Sequence, residues 1–269
     1  MSRIQPKILN IRKKILHWYR ANKRDLPWRH TNDPYAILVS EMMLQQTQVD
    51  RVIPKYEEFL GKFSTIHDLA QASLVDVLRL WSGLGYNRRA KYLWQMAKQI
   101  MTESKGKIPD SYDELRKLPG IGDYTANAVL CFAFKKIAPA VDTNVRNVIE
   151  HEFNEDKSLS ITEIKKLMLD LFPNDHPDEF LHALMDYSSL TLKRPVRQRK
   201  NKSPTPFKQT NRFLRGMIVK SLTTGPLPKR KLIQKILKQS HRNLADIQRA
   251  LEELQREELV RKTDNLLTL

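Results

Sequence analysis

The stretch Leu118-Pro119-Gly120-Ile121-Gly122-Asp123-Tyr124-Thr125-Ala126 constrains this chain more than any other. Pro119 and two glycines flank one apolar residue, between a helical pattern that ends near Leu118 and another that starts near Tyr124. Proline fixes φ and glycine permits positive φ, so the stretch predicts a tight hairpin between two helices. The second helix opens with backbone N–H groups that have no partner. Their donors and the helix dipole together suit a phosphate, although an ordinary helix–helix turn reads the same way. An apolar helix from Ala126 to Phe134 follows, then Pro139-Ala140-Val141-Asp142-Thr143-Asn144-Val145-Arg146. An isolated aspartate after an apolar run, about 20 residues past a phosphate-holding hairpin, is a candidate for chemistry on a DNA strand.

The rest of residues 1–192 reads as helices. Residues 7–23 place Ile8, Ile11, Ile15, Trp18 and Tyr19 on one face. Asp33-Pro34-Tyr35 starts a second helix, by its Asp cap and a proline at the first helical position. That helix carries Glu41 inside an apolar segment, where a carboxylate is either paired or raised in pKa. Gln45-Gln46-Thr47-Gln48 follows, an uncharged run of long hydrogen-bonding side chains. Helical patterns continue at 49–60, 66–71 and 73–80, and Trp81-Ser82-Gly83-Leu84-Gly85-Tyr86 interrupts them. Others run from Arg88 to Glu103 and from Ser111, with Glu114 at capping-box spacing, up to the hairpin. After Asp142 come helices at about 143–152, 161–171 and 177–192. No alternating strand pattern of useful length and no internal repeat occurs there, so the expected class is all-α.

Residues 193–206 carry three prolines, six basic residues and no aliphatic residue except Val196, and read as a linker or exposed loop. Three short helical patterns follow. Phe213, Leu214, Met217, Ile218 and Leu222 mark the first; Leu227, Leu232, Ile233, Ile236 and Leu237 the second; Asn243, Ile247, Leu251 and Leu254 the third. The end of the chain reads as a two-stranded ribbon around Thr263-Asp264-Asn265. Three helices and a hairpin suggest a winged-helix-like module, serving either as a second DNA contact or as a packing domain. The expected division is 1–192, a linker at 193–211, and 212–269.

Charge sharpens this. The net charge is +17, yet residues 1–192 hold only +3 of it, 193–211 hold +7 and 212–269 hold +7. A polyanion is the natural partner of the last third. The single cysteine, Cys131, excludes an intrachain disulfide and any site built from several thiolates, and its apolar helix implies a buried, inert thiol. No apolar run approaches about 18 residues, and the first residues lack a signal-peptide apolar region, so the expected location is intracellular, in cytoplasm or nucleoid.

Three motifs in the same order resemble the helix-hairpin-helix DNA glycosylase superfamily, and within it the MutY-like adenine glycosylases. Ser40-Glu41-Met42-Met43-Leu44-Gln45-Gln46-Thr47-Gln48-Val49 is similar to the family's catalytic-glutamate segment, Leu118 to Ala126 to its hairpin, and Val141-Asp142-Thr143-Asn144-Val145 to its catalytic-aspartate segment. Leu80 to Tyr86 resembles a further family segment, and the likeness covers roughly residues 10–190. It implies a fold of two helical subdomains and a substrate of double-stranded DNA with a mismatched or oxidised base, which must be flipped into a pocket. Glu41 would protonate adenine at N7, Asp142 would stabilise the sugar cation or bond to it transiently, and Tyr124 would support the site. Gln45 and Gln46 would enter the base stack, Tyr86 would contact DNA or else serve as a core aromatic, and Gly120 and Gly122 would present the hairpin to a phosphate. Bifunctional relatives carry a lysine where Tyr124 stands, so the resemblance implies a monofunctional enzyme without strand cleavage.

The sequence departs from that family in two places. Four cysteines that hold an iron–sulfur cluster in most MutY-like proteins, the first near Leu192, are absent, and a basic run stands there instead. No cluster is therefore expected. Arg197, Arg199 and Lys200 are candidates to replace the cluster loop's phosphate contacts, and neutralising them should weaken DNA binding and flatten its salt dependence. The other cofactor implied is a Na⁺ or K⁺ ion at the hairpin carbonyls. Residues 212–269 are too few for the Nudix-like domain with which many relatives recognise 8-oxoguanine. Two alternatives stay open: a thymine or uracil glycosylase acting opposite guanine, and a catalytically silent DNA-binding protein. The expected form is a monomer.

Overall fold

The computed structural model describes residues 4–153, 159–192 and 206–269. In chain order its helices are α1 (Ile4–Asn22), α2 (Pro34–Leu44), α3 (Val49–Lys62), α4 (Ile66–Gln71), α5 (Leu74–Trp81) and α6 (Arg88–Ser104). They continue with α7 (Tyr112–Lys117), α8 (Asp123–Phe134), α9 (Thr143–Phe153), α10 (Ile161–Leu171) and α11 (Pro177–Thr191). The last segment holds α12 (Asn211–Leu222), β1 (Leu227–Pro228), α13 (Lys229–Ser240), α14 (Leu244–Arg256), β2 (Arg261–Thr263) and β3 (Leu266–Thr268). Among the described residues no helix is long and apolar enough to cross a membrane.

Two compact units emerge, each discontinuous in sequence: 1–41 with 108–197, and 42–107 with 198–269. In the first, α1 buries Ile8, Ile11, Ile15 and Tyr19 at helical spacing. Its Arg12 reaches the last carbonyls of α10, with Nε donating to Leu171 O at 2.7 Å and Nη2 to Asp170 O at 3.0 Å and Phe172 O at 2.9 Å. A guanidinium is well suited to that end of a helix dipole.

Asp186 on α11 is fully buried and organises the segment between α1 and α2. Its Oδ1 accepts from Arg24 Nε at 2.6 Å and Arg29 Nη2 at 2.9 Å, and its Oδ2 from Arg24 N at 3.0 Å and Arg29 Nη1 at 2.7 Å. Those donors hold its carboxyl below the usual carboxylate range against the opposing cost of burial. Asp186→Asn keeps the volume but leaves the buried Arg29 guanidinium without its counter-charge. A loss of about 2 kcal/mol is expected in urea unfolding; an unchanged midpoint would show that the pair only balances its own desolvation.

The second unit packs α4 and α5 against α6 and α3 against α5, with Phe59 and Trp81 meeting edge to face at 6.2 Å. Its C-terminal part packs α12, α13 and α14 on one another beside a three-stranded antiparallel sheet of order β1-β3-β2. The ribbon expected at the end of the chain is β2 and β3, turning at Asp264 with φ +55°. Leu227 departs from the helix expected of it. Pro228 opens α13 with its fixed φ, and Leu227 instead pairs with Leu267 as the first strand of the sheet.

Candidate active site

The hairpin forms as its proline and glycines require. Ile121 N donates to Leu118 O at 3.2 Å across a turn with Pro119 second and Gly120 third, and Gly120 takes φ +77°. Gly122 plays another part. It is the N-cap of α8 in extended backbone at φ −87°, exposed, with open space where a Cβ would stand. As a glycine it gives the first N–H groups of α8 no side-chain cap. The neighbouring Asp123 carboxylate is occupied by Lys165 Nζ at 2.6 Å and the Tyr112 hydroxyl at 2.8 Å.

The carbonyls that would hold a Na⁺ or K⁺ ion are partly taken. Arg116 Nη1 donates to Ile121 O at 2.6 Å, so an ion coordinated there would lie against a guanidinium. These residues do not fit a monovalent metal ion at Ile121 O. Exchanging K⁺ for tetramethylammonium at constant ionic strength should leave the thermal midpoint within about 1 °C, while Arg116→Ala should make it K⁺-dependent. A clear fall of the wild-type midpoint without K⁺ would refute the assignment.

Glu41, Tyr124 and Asp142 come together in the first unit. Glu41 lies on α2 between buried Ser40 and Met42 and is 5% exposed. Among the described residues no arginine pairs with it; the Tyr124 hydroxyl donates to its carboxylate. Burial pushes the Glu41 carboxyl up to about 7, the Tyr124 hydrogen bond pulls the other way, and the charge of Asp142 pushes it further up. Burial and the two carboxylates hold the Tyr124 phenol well above its ordinary range. Asp142 caps α9: Val145 N donates to its Oδ1 at 2.8 Å and Asn144 Nδ2 to its Oδ2 at 2.8 Å. Burial raises its pKa and those donors oppose the rise. Two carboxyls thus stand in different surroundings. One is buried and inclined to hold its proton; the other is hydrogen-bonded in a way that favours the anion.

A cavity of about 310 Å³ opens in the first unit, walled by Tyr19, Trp28, Ile37, Phe132, Asp178 and His182 among others. Ile37 precedes Glu41 by one turn on the same face of α2. His182 stacks on Phe132 at 4.2 Å, and burial and the Arg29 charge hold it neutral. Asp178 accepts from Lys135 through Oδ2 at 2.7 Å, while its buried Oδ1 has no partner among the described residues.

The second unit carries the other candidates. Gln45 is half-buried; Gln46 is exposed with φ +56°, and Tyr86 is 37% exposed with φ +48°. A residue that sequence reasoning passed over joins them. Arg89 on α6 is buried, and its Nη1 donates to Met42 O at 2.9 Å, Met43 O at 2.8 Å and Gln45 O at 2.5 Å. Its Nη2 donates to Thr47 Oγ1 at 3.0 Å and Gly85 O at 3.1 Å, and the guanidinium lies 5.3 Å from the Tyr86 ring. One cation thus caps the C-terminus of α2 and ties the Gln45-Gln46 turn to the loop of Tyr86. The only sequence signal is Arg89's place at the start of a helix, a position usually solvated. Arg197, Arg199 and Lys200 lie outside the described residues. Cys131 is fully buried, and burial raises its thiol pKa. Among the described residues no cluster of His, Cys, Asp and Glu could hold a metal ion.

Residues 39–174 match the family model described as "HhH-GPD superfamily base excision DNA repair protein". An adenine DNA glycosylase of Mycobacterium tuberculosis is 47% identical over 136 residues, covering 50% of this chain and 45% of that protein. One of Mycolicibacterium smegmatis is 42% identical over 176 residues, covering 64% and 60%. The matches thus take in about half the length of such curated relatives. Among solved structures, a thermostable thymine-DNA glycosylase superposes with a TM-score of 0.68 at 29% identity, over 72% of this chain and 92% of that one.

Proposed function

This chain belongs to the HhH-GPD superfamily of base excision DNA repair proteins, and from that membership we propose that it is a monofunctional DNA glycosylase releasing adenine mispaired with 8-oxoguanine or guanine. The observation that carries the reading is the buried Glu41 carboxyl, raised to about 7, sharing a hydrogen bond with Tyr124 beside a capped Asp142. Protonated Glu41 gives its proton to N7 of the flipped adenine as the bond from N9 to C1′ of the sugar breaks. Asp142, as the anion, stabilises the positive charge that develops on the sugar, and water then adds at C1′ and gives up a proton to the Glu41 carboxylate. Tyr124 supplies no amine, so the sugar is not captured as a Schiff base.

The cavity beside Ile37 suits a planar base. Trp28 and Phe132 give apolar walls, and the unpartnered Asp178 Oδ1 is an acceptor for an exocyclic amino group. Gln45, Gln46 and Tyr86 meet the base stack, and Gly122 offers the α8 terminus to a backbone phosphate. The order α12, β1, α13, α14, β2, β3 supports reading residues 212–269 as a winged-helix-like second DNA contact. With one cysteine, buried in α8, the chain works without an iron–sulfur cluster. The likeness to a thymine-DNA glycosylase favours a second reading, release of thymine or uracil opposite guanine.

Single-turnover base release separates these. The duplexes carry A opposite 8-oxoguanine, A opposite G, T opposite G and U opposite G, and products are read with and without alkali. Alkali-dependent cleavage at adenine alone is expected. Release of T or U would move the protein to the second reading, and binding without any release would make it a silent DNA-binding protein.

A further inference from the structure

An alternating stack of rings and cations stands on the second unit. Arg212, the second residue of α12, donates through Nη1 to the Tyr86 hydroxyl at 2.6 Å. Its guanidinium lies 4.8 Å from the Tyr86 ring and 5.4 Å from that of Phe207, and Phe207 packs edge to face on Phe213 at 5.6 Å. Arg89 meets the same Tyr86 ring at 5.3 Å. Among the described residues no carboxylate lies within ion-pair distance of Arg212, whose partners are the Tyr86 ring with its hydroxyl and the Phe207 ring. Gly85 passes so near that a Cβ there would touch Arg212 Cδ at 3.9 Å.

The segment bearing Arg212 is itself fixed to α5 and α6. Arg79 Nη2 donates to Thr223 O at 2.9 Å. Buried Lys91 donates to Glu257 O at 2.8 Å and Glu258 Oε2 at 2.9 Å. Tyr86, with a left-handed backbone and an exposed ring, would otherwise have many rotamers to lose on meeting DNA. A cation–π contact and a charge-assisted hydrogen bond from a docked helix remove that freedom in advance.

We propose that Arg212 is the positioning residue for Tyr86: the C-terminal helical segment holds this ring ready to enter the duplex beside the base being opened. The phenol oxygen accepts from Arg212, so the hydroxyl acts through that bond. This rests on the glycosylase reading for the step it serves, and it assigns to residues 207–215 a part in base opening distinct from a general hold on phosphates.

The test uses the full chain and a duplex with A opposite 8-oxoguanine and 2-aminopurine next to the adenine, whose fluorescence rises when the stack opens. Arg212→Ala is expected to lose most of the rise and to slow single-turnover release about tenfold, the loss of one cation–π contact with one charged hydrogen bond. Tyr86→Phe, which keeps the ring and removes the shared hydroxyl, should lose a smaller part of the same effect. The double variant should be no slower than Arg212→Ala alone. Arg212→Lys, which can still donate to the phenol, should recover part of the rate. Losses that multiply in the double variant would overturn the proposal. So would a normal fluorescence rise in Arg212→Ala with only a shallower salt dependence of binding, which marks a plain phosphate contact. If the wild type releases no base, the glycosylase reading fails, and the fluorescence rise in wild type against Arg212→Ala still decides the positioning role. If Arg212→Ala melts early, Tyr86→Phe and Arg212→Lys carry the comparison.

Discussion

Glu41→Gln is expected to slow single-turnover release of adenine by about a thousandfold, with duplex binding changed by no more than a few fold. Glutamine keeps the size of the side chain and its place on α2, and its amide can still accept the Tyr124 hydroxyl. It carries no transferable proton. The pH dependence follows from the same group. The protonated carboxyl is the active form, so release should fall about tenfold per unit once pH rises past about 7, and the variant should lack that limb. Two carboxyls this near titrate as a pair, so the acid limb reports the ionisation of Asp142 within that pair. The variant moves stability in the opposite sense to rate. The folded carboxyl titrates near 7 against an ordinary 4.5, so the native state binds a proton that the unfolded chain has already lost. Wild-type stability therefore falls as pH rises from 4.5 to 7 and stays lowered above it. Glu41→Gln removes that penalty. It should match wild type near pH 4 and exceed it by up to about 3 kcal/mol near pH 8 in urea unfolding. A variant that is slow but no more stable at pH 8 would mean the carboxyl is solvated in the folded chain. A variant that keeps its rate would remove Glu41 from the chemistry.

What could be read in the sequence is what short-range chemistry determines. Pro119 and Gly120 dictate the turn between α7 and α8 because their backbone preferences act within the hairpin. Asp142 before Thr143 gives the α9 cap, and Ser111 caps α7 by accepting from Glu114 N at 3.4 Å. Glu41 stood out because a carboxylate in an apolar helix needs an explanation. The missed features depend on partners distant in the chain. Arg89 reads as the start of a solvated helix, and its role appears only when its carbonyl partners at Met42, Met43 and Gln45 are brought to it. Asp186 lies 162 residues from Arg24 and 157 from Arg29, and no local pattern pairs it with either. Leu227 fits the apolar spacing of α13, but its pairing with Leu267 and the break at Pro228 decide its strand. The cavity at Trp28 and His182 joins α11 to the segment before α2, and periodicity cannot place two such faces together.

Asp142→Asn should cost about as much rate as Glu41→Gln, a hundredfold to a thousandfold, for a different reason. Asp142 does two things at once: it caps α9 through Val145 N, and it places a negative charge beside the bond that breaks. Asparagine is as good an N-cap as aspartate, so the amide oxygen can keep the 2.8 Å bond and the helix start. What disappears is the charge that opposes the cation on the sugar. Asp142→Ala removes both and should lose a further ~1 kcal/mol of stability from the uncapped helix. Comparing the two variants divides the roles: equal rates with unequal stabilities assign the cap to stability and the charge to chemistry. Loss of the charge also relieves Glu41 of a neighbour that raises its pKa, so its pKa in Asp142→Asn should lie below about 7. The fall of the residual rate with rising pH should then begin at lower pH than in wild type. An unshifted limb would mean that the two carboxyls do not sense each other in solution. A rate near wild type in Asp142→Asn would leave this residue as a helix cap alone, and the sugar cation would then have to be stabilised by some other group.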